Sequence, residues 1–376
     1  KKPRDYTIFI EEKRDTLAES RVTAYLSGRN SPAQTGFEYV DASAFSRGFA
    51  VLSAPDVLKT LQSLPGVAGG TELMNGLYVH GGTGNDNLYL YDGVPLYSVS
   101  HLAGLYSSFN TDIVDNVNFY KSGFPASYGG RLSSVVEVNS RDGSMTDYKG
   151  SFTVGLINGA FQYEGPIKKD RTSFNVALRR SWLDVLSAPA LAIYNSRRDE
   201  TTSELWARYA MTDFNAKVTH KLSDTGVLRV GAVAGSDLVS VTEGVSDQEM
   251  TYKFRWGNIL AYADVQDSIG ERMDYSAKVY YPHHRARMDW DRVKTYEQAS
   301  ADEVYEDWIS GIHDIGLKAD FSYALHPEHK LKYGLEHLFH IYTPEQSWYT
   351  RLASDDAPIS YGEMAERYFG TETALY

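Results

Sequence analysis

The chain has 376 residues, 31 Gly, 28 Tyr, no Cys and a formal net charge of −12. The absence of Cys excludes a disulfide scaffold, a thiolate nucleophile, a Cys-based zinc site and a lipid anchor on Cys. The acidic balance argues against a nucleic-acid partner, since phosphate binding requires clustered Lys and Arg. The sequence contains no run of ~18 apolar residues, so no transmembrane helix is predicted.

The first fifty residues show little periodic pattern. Residues 6–10 (YTIFI) predict a short edge strand, and the polar segment 13–50 predicts a linker. The chain opens without the apolar core of a signal peptide, and its last residues, TETALY, have the pattern of the start of a strand. We therefore expect the sequence to be part of a longer, exported protein.

A helix is predicted between Ser53 and Val67. Pro55 suits the first turn, where its missing N–H costs nothing, and Ser53 is the predicted N-cap. The apolar residues recur at helical spacing on one face. These residues are Val57, Leu58, Leu61 and Leu64. We interpret this apolar face as one that packs against the protein core and has no separate function.

From residue 77 the apolar period changes to two, which predicts strands. Between them, Asp92-Gly93 predicts a turn, and residues 110–114 predict a short helix capped by Asn110. The predicted strands are Leu77–Val79, Leu88–Tyr91, Val117–Tyr120 and Val135–Val138.

After about residue 148, long runs alternate apolar and polar residues. In residues 315–325, Ile315, Leu317 and Phe321 face one way, and Lys318 and Asp320 face the other. A soluble β-sandwich gives the same alternation. Tight turns at 223–226, 268–271 and 325–329, however, alternate with long connections at 187–208, 236–251, 289–308 and 347–370. This alternation of short and long connections is typical of outer-membrane barrels. The number of alternating runs after residue 148 predicts about eight strands of ~10 residues and the start of a ninth.

Several motifs of residues 55–143 occur together in a recognisable order. They are PDVLK (55–59), LPGV (64–67), GLYVHGG (76–82), DGVP (92–95), SHL (100–102) and YKSGFPASYGGRLSS (120–134). The segment resembles the plug domain of TonB-dependent outer-membrane receptors, in the SusC-like branch. The resemblance implies a mainly β fold, with a small α+β plug domain inside a transmembrane antiparallel β-barrel of about 22 strands.

This resemblance divides the chain into three parts. Residues 1–50 are expected to hold the N-terminal strand, the TonB-box region and a linker; residues 51–147 the plug; and residues 148–376 the first strands of the barrel. About eight strands cannot enclose a plug of this size, because such a barrel holds only side chains. This is a second reason to expect a longer protein.

The resemblance also implies site residues. The plug motifs place them at His80, Gly81, Gly82, Asp92, Gly93, Lys121, Gly129, Gly130 and Arg131. The family usually has Arg at the position of His80, buried between plug and barrel, so His80 implies a looser, pH-sensitive contact. Lys121 and Arg131 are expected to form ion pairs with acidic residues of the barrel lumen.

An energy-coupling segment is expected upstream of the plug. The best match is LAESRVTA, so the TonB-box candidate comprises Leu17, Ala18, Glu19, Ser20, Arg21, Val22 and Thr23. In the family, an inner-membrane motor pulls this segment as an added strand. The implied partners are the TonB complex, a SusD-like surface lipoprotein or other outer-membrane subunits, and outer-membrane lipid. No cofactor, metal site or catalytic residue is predicted.

Three functions remain open from the sequence. The first is TonB-dependent import of a large nutrient through a plug-gated barrel, without enzymatic activity. The second is a scaffold of the same fold within a larger outer-membrane complex, and the third is a soluble β-sandwich enzyme, which the connection lengths disfavour. Trp290 and Trp348 are candidate ligand contacts in loops, although an interfacial aromatic girdle is the favoured interpretation of these residues.

Overall fold

The computed structural model describes residues 36–47, 50–51, 54–70, 76–198, 202–245, 248–295, 301–326, 328–352, 359–364 and 366–376. The predicted edge strand at residues 6–10 and the TonB-box candidate at residues 17–23 lie outside the described residues. Among the described residues, no helix is both long and apolar enough to cross a membrane.

The N-terminal part, called the plug below, comprises the described residues up to 143. Its elements are β1 (Phe37–Asp41), α1 (Ala42–Arg47), β2 (Ala50–Val51), β3 (Ala54–Pro55), α2 (Val57–Gln62), β4 (Val67–Gly69), β5 (Leu77–Val79), β6 (Asn87–Tyr91), β7 (Val94–Pro95), β8 (Ser100–His101), β9 (Tyr106–Ser107), β10 (Val114–Tyr120) and β11 (Ser134–Ser140). Five strands form a mixed sheet in the order β1-β10-β11-β6-β7. The pairing of β11 with β6 is parallel.

The plug core forms where α2 packs against this sheet. Val57, Leu58 and Leu61 are fully buried there, as their helical spacing predicted. The helix, however, begins at Val57 and not at Ser53, because Asp56 is the N-cap: its Oδ1 accepts a hydrogen bond from the Lys59 N–H at 3.0 Å. Asp is a strong N-cap residue, and it stands directly before the apolar run.

Two further predictions for the plug are corrected. Phe37–Asp41, assigned to the linker, forms an edge strand of the plug sheet, with Phe37 opposite Tyr120. Residues 110–113 form a turn instead of a helix, and the Asn110 side chain accepts a hydrogen bond from the Asp112 N–H at 3.1 Å. Such Asx turns compete with helix formation. The four predicted strands of residues 77–138 are all present.

The second part is an eleven-stranded antiparallel sheet, called the barrel strands below. Its elements are β12 (Lys149–Val154), β13 (Asn158–Lys168), β14 (Thr172–Ser181), α3 (Leu183–Arg197), β15 (Glu204–Lys221), β16 (Val227–Val245), β17 (Gln248–Ile269), β18 (Met273–Thr295), β19 (Ala301–His326), β20 (His329–Leu352), β21 (Ile359–Met364) and β22 (Tyr368–Leu375). Successive strands pair in order through β21, and β22 pairs with β20. The sheet is a partial barrel that does not close.

The barrel strands are longer than predicted, at 18–26 residues from β15 to β20. Most of the connections predicted at 236–251 and 289–308 are paired strand, with Glu243 opposite Met250 and Lys294 opposite Asp302. The polar composition of these segments concealed their pairing, because the ladder is held by backbone hydrogen bonds. The connection predicted at 187–208 contains most of α3, which the sequence reasoning missed.

Candidate functional site at the plug–barrel interface

The inward face of the barrel strands is polar and covered by the plug. Along β14 and β15, Asn175 and Lys217 are buried, whereas their outward neighbours Leu178 and Phe214 are 45% and 44% exposed. The predicted alternation is therefore confirmed, with the apolar side chains outside. This is the arrangement of a transmembrane barrel and the reverse of a soluble sandwich.

His101 forms the most buried ionic contact between plug and barrel. The imidazole is 2% exposed; its Nδ1 lies 2.6 Å from Asp237 Oδ2, and its Nε2 lies 2.9 Å from Asp213 Oδ1. The second contact is not aligned as a hydrogen bond and acts as an ion pair. Arg179 joins the group, because its Nε donates to Asp213 Oδ2 at 2.8 Å and its Nη2 donates to the Ser107 carbonyl at 2.7 Å.

The charge of His101 follows from these neighbours. Burial alone would lower the pKa of His101, but the carboxylates of Asp213 and Asp237 outweigh burial and raise this pKa from 6.5 to about 9. At neutral pH the side chain is therefore an imidazolium that donates a hydrogen bond from Nδ1 to Asp237 and forms an ion pair through Nε2 with Asp213. The two carboxylates and the two cations, His101 and Arg179, balance in charge within a site from which water is excluded.

Asp92, predicted from the plug motif, is the centre of a second contact. Its carboxylate accepts hydrogen bonds from the Ser140 N–H at 2.8 Å and from the Tyr262 hydroxyl of β17 at 2.5 Å. Its carbonyl accepts a hydrogen bond from Lys278 of β18. Gly93 completes the predicted turn with φ +75°, and a Cβ there would lie 2.7 Å from Lys278 Nζ. A larger residue would thus strain the backbone at this φ and displace the Lys278 ammonium group from the Asp92 carbonyl.

A third contact lies where the plug chain leaves toward β12. Asp142 pairs with Lys217 Nζ at 3.0 Å and with Arg229 Nε at 3.2 Å, and it accepts a hydrogen bond from Thr219 at 2.9 Å. Burial would raise the pKa of Asp142, but the nearby Lys217 and Arg229 outweigh it and lower this pKa below 3.8. The carboxylate is therefore held in its charged form.

The opposite side of the plug contacts β17 and β19. Asn258 of β17 accepts a hydrogen bond from the Ser98 N–H at 3.2 Å and donates to the Ser98 carbonyl at 2.6 Å. The Tyr97 hydroxyl donates to Asp314 of β19, and Lys318 donates to the Ser127 carbonyl at 2.8 Å. Barrel side chains thus hold the plug through its backbone at Ser98 and Ser127 and through the Tyr97 side chain.

Some residues from the plug motifs lie away from the barrel. His80 is exposed in a turn with φ +50°, so it does not occupy a buried plug–barrel contact. Gly81 follows with φ +85°, and a Cβ on Gly82 would lie 2.4 Å from Ser133 Oγ. Position 82 requires glycine because Ser133 leaves no room for a side chain, and position 81 favours glycine because of its positive φ in the turn.

The predicted ion pairs of Lys121 and Arg131 with the barrel are corrected. Lys121 Nζ lies 3.1 Å from Glu38 Oε1 and donates to the Pro65 carbonyl at 3.1 Å, both within the plug. Lys121 directly follows β10, which pairs with β1, and this pairing places the Lys121 side chain close to Glu38 of β1. Arg131 is exposed and donates to the Gly130 carbonyl at 2.7 Å. Gly129, Gly130 and Arg131 border a cavity of about 530 Å³ between the plug and the barrel strands.

Trp290 and Trp348 lie in strands and not in loops. Trp290 belongs to β18, opposite Tyr252, whose ring centroid is 6.2 Å away. Trp348 belongs to β20, opposite Asp307. Both positions fall within segments that were predicted as connections, and the extension of the strands explains the difference.

Comparison with known proteins agrees with this geometry. The family described as TonB-dependent Receptor Plug Domain matches residues 21–136. The chain carries a TonB-dependent receptor plug. The fold is similar to the ferric yersiniabactin uptake receptor FyuA from Yersinia pestis, with 11% identity, a TM-score of 0.51 and coverage of 90% of this chain and 61% of that one. No curated protein matches the sequence.

Two further solved structures share the fold. The RagAB peptide importer in its closed-closed state matches with 9% identity, a TM-score of 0.55 and coverage of 90% of this chain and 53% of that one. A second structure of the RagAB peptide transporter matches with 10% identity, a TM-score of 0.55 and coverage of 91% and 53%. The chain thus spans 53–61% of the length of these structures. Over that length the chain has the fold of the FyuA uptake receptor and of the RagAB transporter.

Sequence reasoning missed the central group of this site. His101 was noted only within the SHL motif, and its partner Asp237 is 136 residues away along the chain. A usable signal was present: inward-facing polar residues on predicted strands, such as Asp213, Lys217 and Asp237, must contact something buried. The sequence does not reveal which plug residue meets each of them.

Proposed function

We propose that the protein imports a large solute across the bacterial outer membrane by TonB-dependent displacement of its plug. The observation that carries this proposal is the plug–barrel interface, which is held by buried ion pairs of His101 and Asp92 and by the more exposed ion pairs of Asp142. Such contacts exclude water while the plug is seated, yet each exposed ion regains hydration when the plug moves. The interface can therefore be opened by force and closed again.

The proposed partners follow from the same fold. The TonB complex would pull the segment around residues 17–23, and outer-membrane lipid would surround the apolar outer face. A SusD-like surface lipoprotein is proposed for the extracellular side, supported by the similarity in fold to the RagAB transporter. RagAB is a peptide transporter, so peptides are the first cargo class to test. The family is one of receptors, and we propose no catalytic role.

A reversible disulfide between plug and barrel tests the proposal. The chain has no native Cys, and the Asn258 side chain hydrogen-bonds both the N–H and the carbonyl of Ser98, which makes these neighbouring residues the pair to join by a disulfide. We expect the oxidised Ser98→Cys/Asn258→Cys protein, expressed in the native host lacking its own copy, to stop removing cargo from a peptide-rich medium. Reduction should restore uptake, measured as depletion of individual peptides by mass spectrometry.

The two single-Cys variants are the matched controls, and intact-mass measurement gives the oxidised fraction. Uptake by the oxidised double variant at the rate of the single variants would refute plug displacement. If the wild-type protein depletes nothing, while cells lacking it lose an outer-membrane complex, the scaffold alternative replaces import.

A further inference from the structure

The outward face of β17–β19 carries a group of basic side chains that import does not use. The group, called the basic outer patch, comprises Arg255 of β17, Arg285 of β18 and Arg367, next to β22, around the rings of His283 and His313. The two His rings stack with centroids 3.8 Å apart. Arg285 and Arg367 both lie within electrostatic range of His313.

The strand register places these side chains on the outside. In β18, Arg285 shares a face with Val279 and Tyr281, which are 46% and 36% exposed. His313 shares a face with Ile315 in β19, which is 49% exposed. The paired registers of β17–β18 and of this part of β18–β19 run without a shift, so the alternation continues into the patch.

The height of the patch along the strands is informative. Met273, directly after the short turn, and Arg285 are separated by about 40 Å of strand at ~3.3 Å per residue, or about 30 Å along the barrel axis at a tilt of ~40°. The apolar band of an outer-membrane barrel is ~25 Å tall. Arg285 therefore lies just beyond this band, at the level of the lipid headgroups on the side opposite the short turns.

The charges of the patch lack sufficient acidic partners. Arg285 and Arg367 have no ion pair among the described residues, and Arg255 has only a 4.0 Å contact with Asp289, with its side chain 55% exposed. Arg255 also lies directly opposite Arg287. Like charges in opposed positions are destabilising, and Asp289, which contacts both arginines, offsets the repulsion at this pair. Arg285 and Arg367 have no such carboxylate in the part of the chain that the structure describes.

The carboxylates near the patch are already engaged. Arg287 Nε lies 2.6 Å from Asp289 Oδ1, and its Nη2 lies 2.9 Å from Asp307 Oδ2. This ion-paired row is one step farther from the apolar band than Arg285. Next to Arg285 the opposed residues are Gly257 and Gly311, which carry no side chain. The guanidinium group is therefore accessible from the lipid side.

We propose that the basic outer patch binds the phosphate groups of outer-leaflet lipid headgroups. The charge, the exposed position beside Gly257 and Gly311, and the height directly above the apolar band all match a phosphorylated glycolipid. Arg is suited to phosphate because its planar fork donates two parallel hydrogen bonds. This inference rests on the outer-membrane location of the fold but not on import.

Native mass spectrometry of the purified full chain tests this site, with diphosphorylated lipid A and its dephosphorylated form as probes. We expect the wild-type protein to prefer the phosphorylated lipid, and Arg285→Gln/Arg367→Gln to bind it about thirtyfold more weakly, since each basic residue at a membrane surface contributes ~1 kcal/mol. Binding of the dephosphorylated lipid should be equal for both proteins.

The matched control is Lys168→Gln/Lys169→Gln, which removes two exposed charges at the turn after β13, at the opposite end of the barrel strands. This variant should bind lipid A as the wild type does. The proposal is overturned if both lipid forms bind the wild type equally, if the arginine variant retains wild-type affinity, or if the lysine variant loses as much. Heat-modifiable migration on gels confirms that each variant is folded.

Discussion

Replacing His101 should weaken plug seating in a way that depends on pH. The protonated imidazole binds Asp213 and Asp237, and its pKa is raised from 6.5 to about 9. A raised pKa means that the stabilisation is fully present below pH 6.5 and is lost as the pH rises through about 9. Linkage between these two values gives roughly 2–3 kcal/mol at pH 7, nearly all of it absent at pH 10.

A buried thiol on the barrel side of the interface can measure this contribution. Leu260 of β17 is 1% exposed and packs against the plug core, and the chain has no native thiol, so Leu260→Cys becomes reactive when the plug leaves the barrel. We expect His101→Gln in this background to raise the labelled fraction at pH 7 by roughly 50- to 100-fold at a fixed urea concentration, since 1.4 kcal/mol is tenfold. At pH 10 the two proteins should label almost equally.

The difference between the two proteins cancels the titration of other groups, which is common to both. A His101→Gln effect of the same size at pH 7 and pH 10 would refute the reasoning, because it would mean that His101 acts through shape and not through charge. His101→Ala offers a further check, since it should resemble His101→Gln at pH 7 and add a cost for the lost volume that does not change with pH.

Three other outcomes are expected. Deletion of residues 13–24 should abolish peptide depletion but leave the barrel assembled; continued uptake would exclude this segment as the TonB box. Asp142→Asn should lower the urea midpoint of plug opening at pH 7, whereas the wild type should lose that contact only as the pH falls through the lowered pKa of Asp142, below 3.8; equal midpoints at pH 7 would contradict the ion-pair assignment. Trp290→Ala should reduce peptide depletion without changing barrel yield, if the indole contacts cargo.

The sequence predicted the parts of the fold that local chemistry determines. The strands at Leu77–Val79 and Leu88–Tyr91 and the turn at Asp92-Gly93 follow from side-chain period and turn residues, and they are present. The helix start was misplaced because Ser53 and Asp56 are both good N-caps. The choice between them depended on the pairing of Pro55 in β3, which is a tertiary contact.

The long outer parts of the barrel strands could not be predicted in the same way. Residues 289–308 carry charges on both faces, so they give no period of two, yet β18 and β19 pair through this segment from Asp289–Asp307 to Thr295–Ala301. Neighbouring strands supply the hydrogen bonds, and one strand alone gives no signal of them. The candidate site could not be predicted for a related reason: the Arg179–Asp213 and His101–Asp237 pairs join segments that are distant along the chain.

The composition of the interface explains why a plug of this kind can stay folded while it is displaced. Its own core is apolar, with Leu58, Val117 and Phe119 fully buried. Among the described residues, a few apolar barrel side chains such as Leu260 join that core. Most of the other contacts between plug and barrel involve a charged group. Apolar burial resists exposure throughout a displacement, whereas an ion pair loses most of its attraction once water enters. A pulling force should therefore break the barrel contacts before the plug core.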